Sequence, residues 1–155
     1  MERKLVLRRT FQAPAAKVFA AFISAEAIKE WWSPEGFEVV DAQVDARVGG
    51  RYSLVLHSLT DAKVCYQHGT YREITPPTKI VFTHVFDARS TYPLIAAVGM
   101  VGQETLVTVE LHAQGDATEV VLTHEQLPTS AAEEMVRGGW KGVFEKLGRY
   151  LESVG

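Results

Sequence analysis

A long amphipathic segment follows a run of strands, and that order limits what the chain can fold into. From Ser130 onward Val136, Trp140, Val143, Phe144, Leu147 and Leu151 recur at helical spacing. From Phe37 to His124 the pattern is almost all strand. A helix with one apolar stripe must bury it, and the neighbour on offer is a sheet. A curved sheet gripping one helix leaves a concave space, and function is expected there.

The rest of the chain supplies that sheet. Leu5, Leu7 and Phe11 alternate with Val6, Arg8 and Thr10, which predicts an opening strand. Pro14 suits the first turn of a helix, whose apolar face is Val18, Phe19, Phe22 and Ile23. A second short helix is predicted over Ala25 to Trp32, with Ser24 as its N-cap. Ser33-Pro34-Glu35-Gly36 stops it. Strands are then predicted over Phe37 to Asp45, Arg51 to His57, Lys63 to Ile74, Lys79 to Phe86, Gln103 to Ala113 and Ala117 to Glu125. Their period-two alternation and short turns point to an antiparallel meander with one wet face. The segment Asp87 to Gly102 interrupts it with an apolar run from Pro93 to Val101. A loop this long is expected to be a packed extension of the core, a lid or a dimer contact.

Several function classes are excluded early. The 155 residues suit one domain with a real core. A net charge of -3, without basic runs, gives no case for nucleic acid. No apolar stretch is long enough to insert in a membrane, and Met1-Glu2-Arg3-Lys4-Leu5 lacks the apolar core of a signal peptide. A lone Cys65 forms no internal disulfide, so a cytoplasmic protein is expected. His57, His68, His84, His112 and His124 lie on separate strands without ligand spacing, so no metal is expected. Gly49-Gly50 reads as a turn pair supplying positive backbone dihedrals, with no phosphate-loop pattern after it and no cofactor implied.

Short motifs then carry a resemblance. Ala13-Pro14-Ala15-Ala16-Lys17-Val18-Phe19, Trp31-Trp32-Ser33-Pro34-Glu35-Gly36 and Arg47-Val48-Gly49-Gly50-Arg51-Tyr52 come in that order. Gly69-Thr70-Tyr71-Arg72-Glu73-Ile74-Thr75-Pro76-Pro77, Leu122-Thr123-His124 and Gly139-Trp140 follow. Together they resemble the SRPBCC (START-like) superfamily. Within it they resemble the bacterial branch named for the activator of the heat-shock-protein-90 ATPase. The resemblance implies an α+β helix-grip (START-like) fold: a curved antiparallel β-sheet around a long C-terminal α-helix, with two short helices after the first strand. The superfamily includes lipid-transfer domains, polyketide cyclases and aromatases, hormone-binding proteins and chaperone activators. They share a hydrophobic cavity between sheet and helix, and no common catalytic constellation. The co-chaperone that names the branch carries a further amino-terminal domain, and no such domain is expected within these residues.

The candidate ligand-binding residues follow from strand parity and the helix stripe. They are Trp32, Tyr52, Leu54, Tyr66, Tyr71, Phe82, His84, Val109, Leu122, His124, Trp140 and Phe144. His84 and His124 are placed on the inner face, where they would bond a ligand's polar group or act as acid and base. The plain alternative is a pair of core histidines satisfied by backbone or water. The tyrosines offer orienting hydroxyls, although Tyr66 and Tyr71 have opposite parity unless a bulge near Gly69 intervenes. Of Trp31 and Trp32, one is expected in the core and the other at the cavity mouth. No catalytic residue is assigned. The leading expectation is binding of a hydrophobic or aromatic small molecule, or a lipid. The alternatives are a cyclase- or aromatase-like enzyme using acid–base residues, and a stress-related protein contacting a chaperone or a second copy through Leu94 to Val101.

Overall fold

The computed structural model describes residues 3–154. Strand β1 spans Arg3–Phe11, followed by helices α1 (Ala15–Ile23) and α2 (Ala25–Trp31). Strands β2 (Phe37–Val44), β3 (Arg51–Ser58), β4 (Val64–Thr75) and β5 (Lys79–Phe86) come next. A short helix α3 (Pro93–Ala97) precedes β6 (Thr105–Gln114), β7 (Ala117–Leu127) and the long helix α4 (Ser130–Ser153). The seven strands form one sheet in the order β1-β7-β6-β5-β4-β3-β2. The pairs are antiparallel throughout. The expected meander runs from β2 to β7, and β1 closes the sheet beside β7. The α+β helix-grip arrangement is therefore the fold.

The local signals act much as the sequence implies. Ser24 caps α2 by accepting the Ala27 N–H at 3.2 Å. Pro14 stands one step earlier than expected, at the N-cap of α1 with extended backbone, so its ring fixes the entry to the helix. The glycine pair divides its labour. Gly49 has φ +85°, whereas Gly50 is needed for space, since a Cβ there would collide with the Asp45 carbonyl. Helix α4 buries Val136, Trp140, Val143, Phe144, Leu147 and Leu151. Each full burial of such a side chain stabilises by about 1.5–3 kcal/mol.

Parity on β4 resolves the tyrosines. The strand pairs regularly with β3 from Arg51↔Thr70 to His57↔Val64. Its irregularity against β5 falls between Tyr71 and Glu73, beyond the stretch in question. Cys65, Gln67, Gly69 and Tyr71 therefore face inward and are buried. Tyr66 is a correction: it lies on the outer face, where the Arg89 guanidinium stacks 4.4 Å from its ring centre. Gly69 is bare because Tyr52 of β3 crosses over it. The Tyr52 hydroxyl donates to the Thr83 carbonyl of β5 at 2.8 Å. A Cβ on Gly69 would collide with that carbonyl and meet the Tyr52 ring at 2.6 Å.

The 87–102 segment is a packed extension of the core. Ile95, Val98 and Met100 are buried. Its near side is tied to β4, because Ser90 and Thr91 accept the N–H groups of Tyr66 and Val64. Its far side is tied to α4. The Thr129 hydroxyl accepts the Ala132 N–H at 3.0 Å as N-cap and donates to the Val98 carbonyl at 2.8 Å.

Lys146 on α4 fastens the helix to the turn after α2. Its ammonium donates to Ser33 Oγ at 2.9 Å, to the Pro34 carbonyl at 3.2 Å and to the Phe37 carbonyl at 3.0 Å. Three ammonium protons thus meet three oxygens. Lys146→Met keeps the stem and removes all three bonds, and should cost about 2 kcal/mol. An unchanged urea midpoint at unchanged m-value would show that this clamp contributes nothing.

Candidate functional site

Between the inner face of the sheet and α4 lies a cavity of about 110 Å³. The sheet contributes Leu56, Cys65, Gln67, His84, Phe86 and His124. Helix α4 contributes Met135, Val136, Gly139, Trp140 and Val143. Trp32 and Pro34 of the turn after α2, Phe37 of β2, and Tyr92 and Ile95 of the 87–102 segment complete the wall. Phe37, Phe86, Tyr92 and Met135 are only half-buried, so they form its rim.

Trp32, His84, His124 and Trp140 stand in this wall as the sequence reading placed them. The other candidates lie elsewhere. Tyr52, Leu54, Tyr71 and Phe82 are behind Trp32, where they pack with Phe22 and Ile28 around a void of about 10 Å³. Val109 and Leu122 are fully buried in solid core. Phe144 packs edge-on against Phe11 at 5.7 Å. Tyr66 is on the far face of the sheet. Parity identifies the face of a sheet but not which part of that face stays hollow. Trp31 and Trp32 are also not split between core and mouth. Both are buried, at 0% and 5% exposure, and Trp31 Nε1 donates to the Ala21 carbonyl.

The polar groups of the wall form two short networks. In the first, Trp140 Nε1 donates to His124 Nδ1 at 3.0 Å. Thr105 Oγ1 donates to the His84 carbonyl at 3.0 Å, so it must accept from His124 Nε2, 2.8 Å away. An indole nitrogen can only donate, which fixes His124 as the neutral tautomer with its proton on Nε2. In the second, Gln67 Oε1 faces Trp32 Nε1 at 3.4 Å and His84 Nε2 at 3.0 Å. The Gln67 amide nitrogen donates to Cys65 Sγ at 3.5 Å. Trp32 again can only donate, so the Gln67 oxygen points toward it and His84 Nε2 carries a proton. His84 Nδ1 is then an acceptor, and it is buried without a partner.

Electrostatics agree with neutral rings. Burial, with nearby His124 adding to it, pushes the His84 pKa down to about 3. Burial alone pushes His124 down to about 4. Burial also raises the Cys65 thiol, so it is not a poised thiolate. No cluster of three or more metal-ligating side chains exists among the described residues.

The fold agrees with what comparison finds. The family model described as Activator of Hsp90 ATPase homolog 1-like protein matches residues 12–152. The chain belongs to this family. The crystal structure of a Chromobacterium violaceum protein superposes with TM-score 0.83 at 25% identity, covering 96% of each chain. The crystal structure of the AHSA1 protein from Silicibacter pomeroyi gives 0.83 at 21% identity, covering 99% of this chain and 100% of that one. The solution structure of an AHSA1-like protein from Aeromonas hydrophila gives 0.75 at 20% identity, covering 99% and 94%. Among curated proteins no match is found. As an Activator of Hsp90 ATPase homolog 1-like protein, the chain has the general form of a ligand-binding fold. No helix among the described residues is long and apolar enough to cross a membrane.

Sequence reasoning missed Gln67, Cys65, Leu56 and Gly139. The first three share the inward parity of residues it did choose: Gln67 and Cys65 that of Tyr71, and Leu56 that of Leu54. Gly139 sits three residues after Val136 on the apolar stripe of α4. A glycine at a stripe position was the signal available for it.

Proposed function

We propose that this chain binds a hydrophobic small molecule, about one aromatic ring in size, between the sheet and α4. The observation that carries this reading is the empty space opposite Gly139. A Cβ built there meets nothing within 4 Å, although the residue lies mid-helix and faces the cavity wall. Glycine inside a helix costs roughly 0.5–1 kcal/mol relative to alanine. A helix that only had to pack would favour a side chain at that position.

The size of the space sets the ligand class. An apolar cavity of roughly 150 Å³ is enough to hold benzene, and the space here is about 110 Å³ with a partly open rim. A single ring burying roughly 200 Å² gains about 5 kcal/mol, so dissociation constants are expected in the sub-millimolar range. Acid–base catalysis is less well supported. His124 has both nitrogens engaged within the protein, and a base whose conjugate acid has a pKa of about 3 is weak near neutrality. A role confined to the outer surface is also less well supported. Leu94 and Val101 are exposed, as that reading expects, but it also expects a filled interior, and the space between sheet and α4 is hollow. A cytoplasmic setting goes with the reading, since the lone thiol is buried and free.

The test is to fill the space. Gly139→Leu should leave thermal stability equal or higher, by about 1 kcal/mol, while removing binding of a toluene-sized probe. Binding can be followed by tryptophan fluorescence, because Trp32 and Trp140 are both in the wall. A wild-type protein that binds no such probe, or a Gly139→Leu variant that binds as before, would sink the proposal.

A further inference from the structure

We infer that α4 is a jointed helix, whose first turns, from Ser130 to Arg137, pivot at Gly138–Gly139 to open and close the cavity. This rests on the binding reading above and gives the guest its route. Helix α4 contains four glycines, Gly138, Gly139, Gly142 and Gly148. Three of them face a neighbour or the hollow. Gly142 is pressed against the turn after α2, where an added Cβ would come within 3.2 Å of the Glu35 nitrogen. Gly148 lies over the Phe11 ring, 3.8 Å from an added Cβ, and Gly139 borders the cavity. Gly138 has no such surroundings. It is exposed, an added Cβ would meet nothing within 4 Å, and its φ is not positive. Glycine in a helix interior is less stable than alanine, and here no contact is gained in return. What two adjacent glycines do supply is a place for the helix to bend, because neither has a Cβ to restrict its backbone.

The two sides of this pair are held unequally. On the C-terminal side Trp140 donates to His124, and Lys146 grips Ser33, Pro34 and Phe37. Glu145 accepts from Arg9, Arg149 pairs with Glu35, and Phe144 packs on Phe11. On the N-terminal side, among the described residues, the side-chain bonds of Ser130 to Arg137 stay within the helix, where Arg137 pairs with Glu133 and Glu134. The tie that leaves this half is the N-cap hydroxyl of Thr129 on the Val98 carbonyl. Burial of Ala132 and Val136 supplies the rest of its hold. Local opening begins where such ties are few.

The loosely held half is also part of the wall. Met135 at the rim and Val136 both border the cavity. Tilting this half about the glycine pair lifts those two side chains off the sheet, while Trp140 and the turns after it stay in place. The facing wall has no such freedom. Its residues Leu56, Cys65, Gln67, His84 and His124 lie on β3, β4, β5 and β7, each paired with a strand on both sides.

Gly138→Ala tests the joint without touching the hollow, since the added methyl fills no space there. Alanine resists the non-helical backbone that an open joint needs. Toluene association and dissociation should therefore both slow by about fivefold, with Kd unchanged within about twofold. Gly148→Ala makes the same change in the half that stays in place, so it should leave both rates as they are. The line shape of the toluene methyl signal in an NMR titration gives the two rates. Rates unchanged in Gly138→Ala, or slowed equally by both substitutions, would overturn the joint and leave the cavity reading standing. A wild-type protein that binds no toluene would overturn the cavity reading, and the joint as its door along with it.

Discussion

Acidification from pH 7 to pH 4.5 should remove on the order of 5 kcal/mol of stability from this protein. The cause is the pair of buried imidazoles. In the unfolded chain a histidine takes up a proton near pH 6.5. In the folded chain His124 resists until about pH 4 and His84 until about pH 3. Between those limits the unfolded state holds more protons, so stability falls as pH falls. The loss begins near pH 6.5 and continues through the folded-state values. Each histidine contributes a slope of about 1.4 kcal/mol per pH unit in that window. A domain of ordinary stability has only about 5–15 kcal/mol in total, so unfolding near pH 4.5 is within reach. Asp87 and Glu145, each held below its usual range by an arginine, extend the same trend at lower pH. Urea titrations at half-unit steps of pH would measure the slope. A flat stability between pH 7 and 5 would show that the two rings are not buried and neutral together.

Trp32→Ala should be the most damaging single truncation near the site, at about 4 kcal/mol, or roughly 10 °C in Tm. Trp32 meets four aromatic rings, with centroids 5.3 Å away in Trp31, 6.3 Å in Tyr52, 5.7 Å in Phe82 and 5.4 Å in Trp140. It also separates the cavity from the small void in front of Tyr52 and Tyr71. Removing the indole joins the two spaces. The variant should therefore accept a two-ring probe such as naphthalene that the wild-type protein refuses, and regain part of its lost stability on binding it. Thermal melts with and without the probe would show both effects. A variant that melts within about 2 °C of wild type would mean the rings around Trp32 close up behind it.

These two expectations depend on features of unequal legibility. The alternation of Tyr52, Leu54 and Leu56 and the stripe from Val136 to Leu151 were readable as strand and helix, since burial on one face leaves a period in the sequence. The same period put His84 and His124 indoors. It also suggested that Tyr66 and Tyr71 part company, which the register of β4 bears out. The depth of each inward residue leaves no such period. Val109, Leu122 and Phe144 have the same apolar character as Leu56 and Val143, yet only the latter two border the hollow. That difference arises from the turn after α2 and the 87–102 segment, which lie over the sheet without a repeating pattern. The networks were equally hidden. The pairing of Trp140 with His124 joins α4 to β7, and that of Gln67 with His84 joins two strands, so neither has a sequence spacing of its own.

Thr129 links two events that would otherwise be independent. One hydroxyl group both receives the first turn of α4 and restrains the peptide that follows α3. Tyr92 on that restrained segment belongs to the rim of the cavity, and Ile95 to its buried wall. Displacing the segment at Val98 would break a bond made by the oxygen that caps the long helix. If the hollow takes the guest proposed above, opening at this segment and fraying of the first turn of α4 should therefore be coupled through that one hydroxyl.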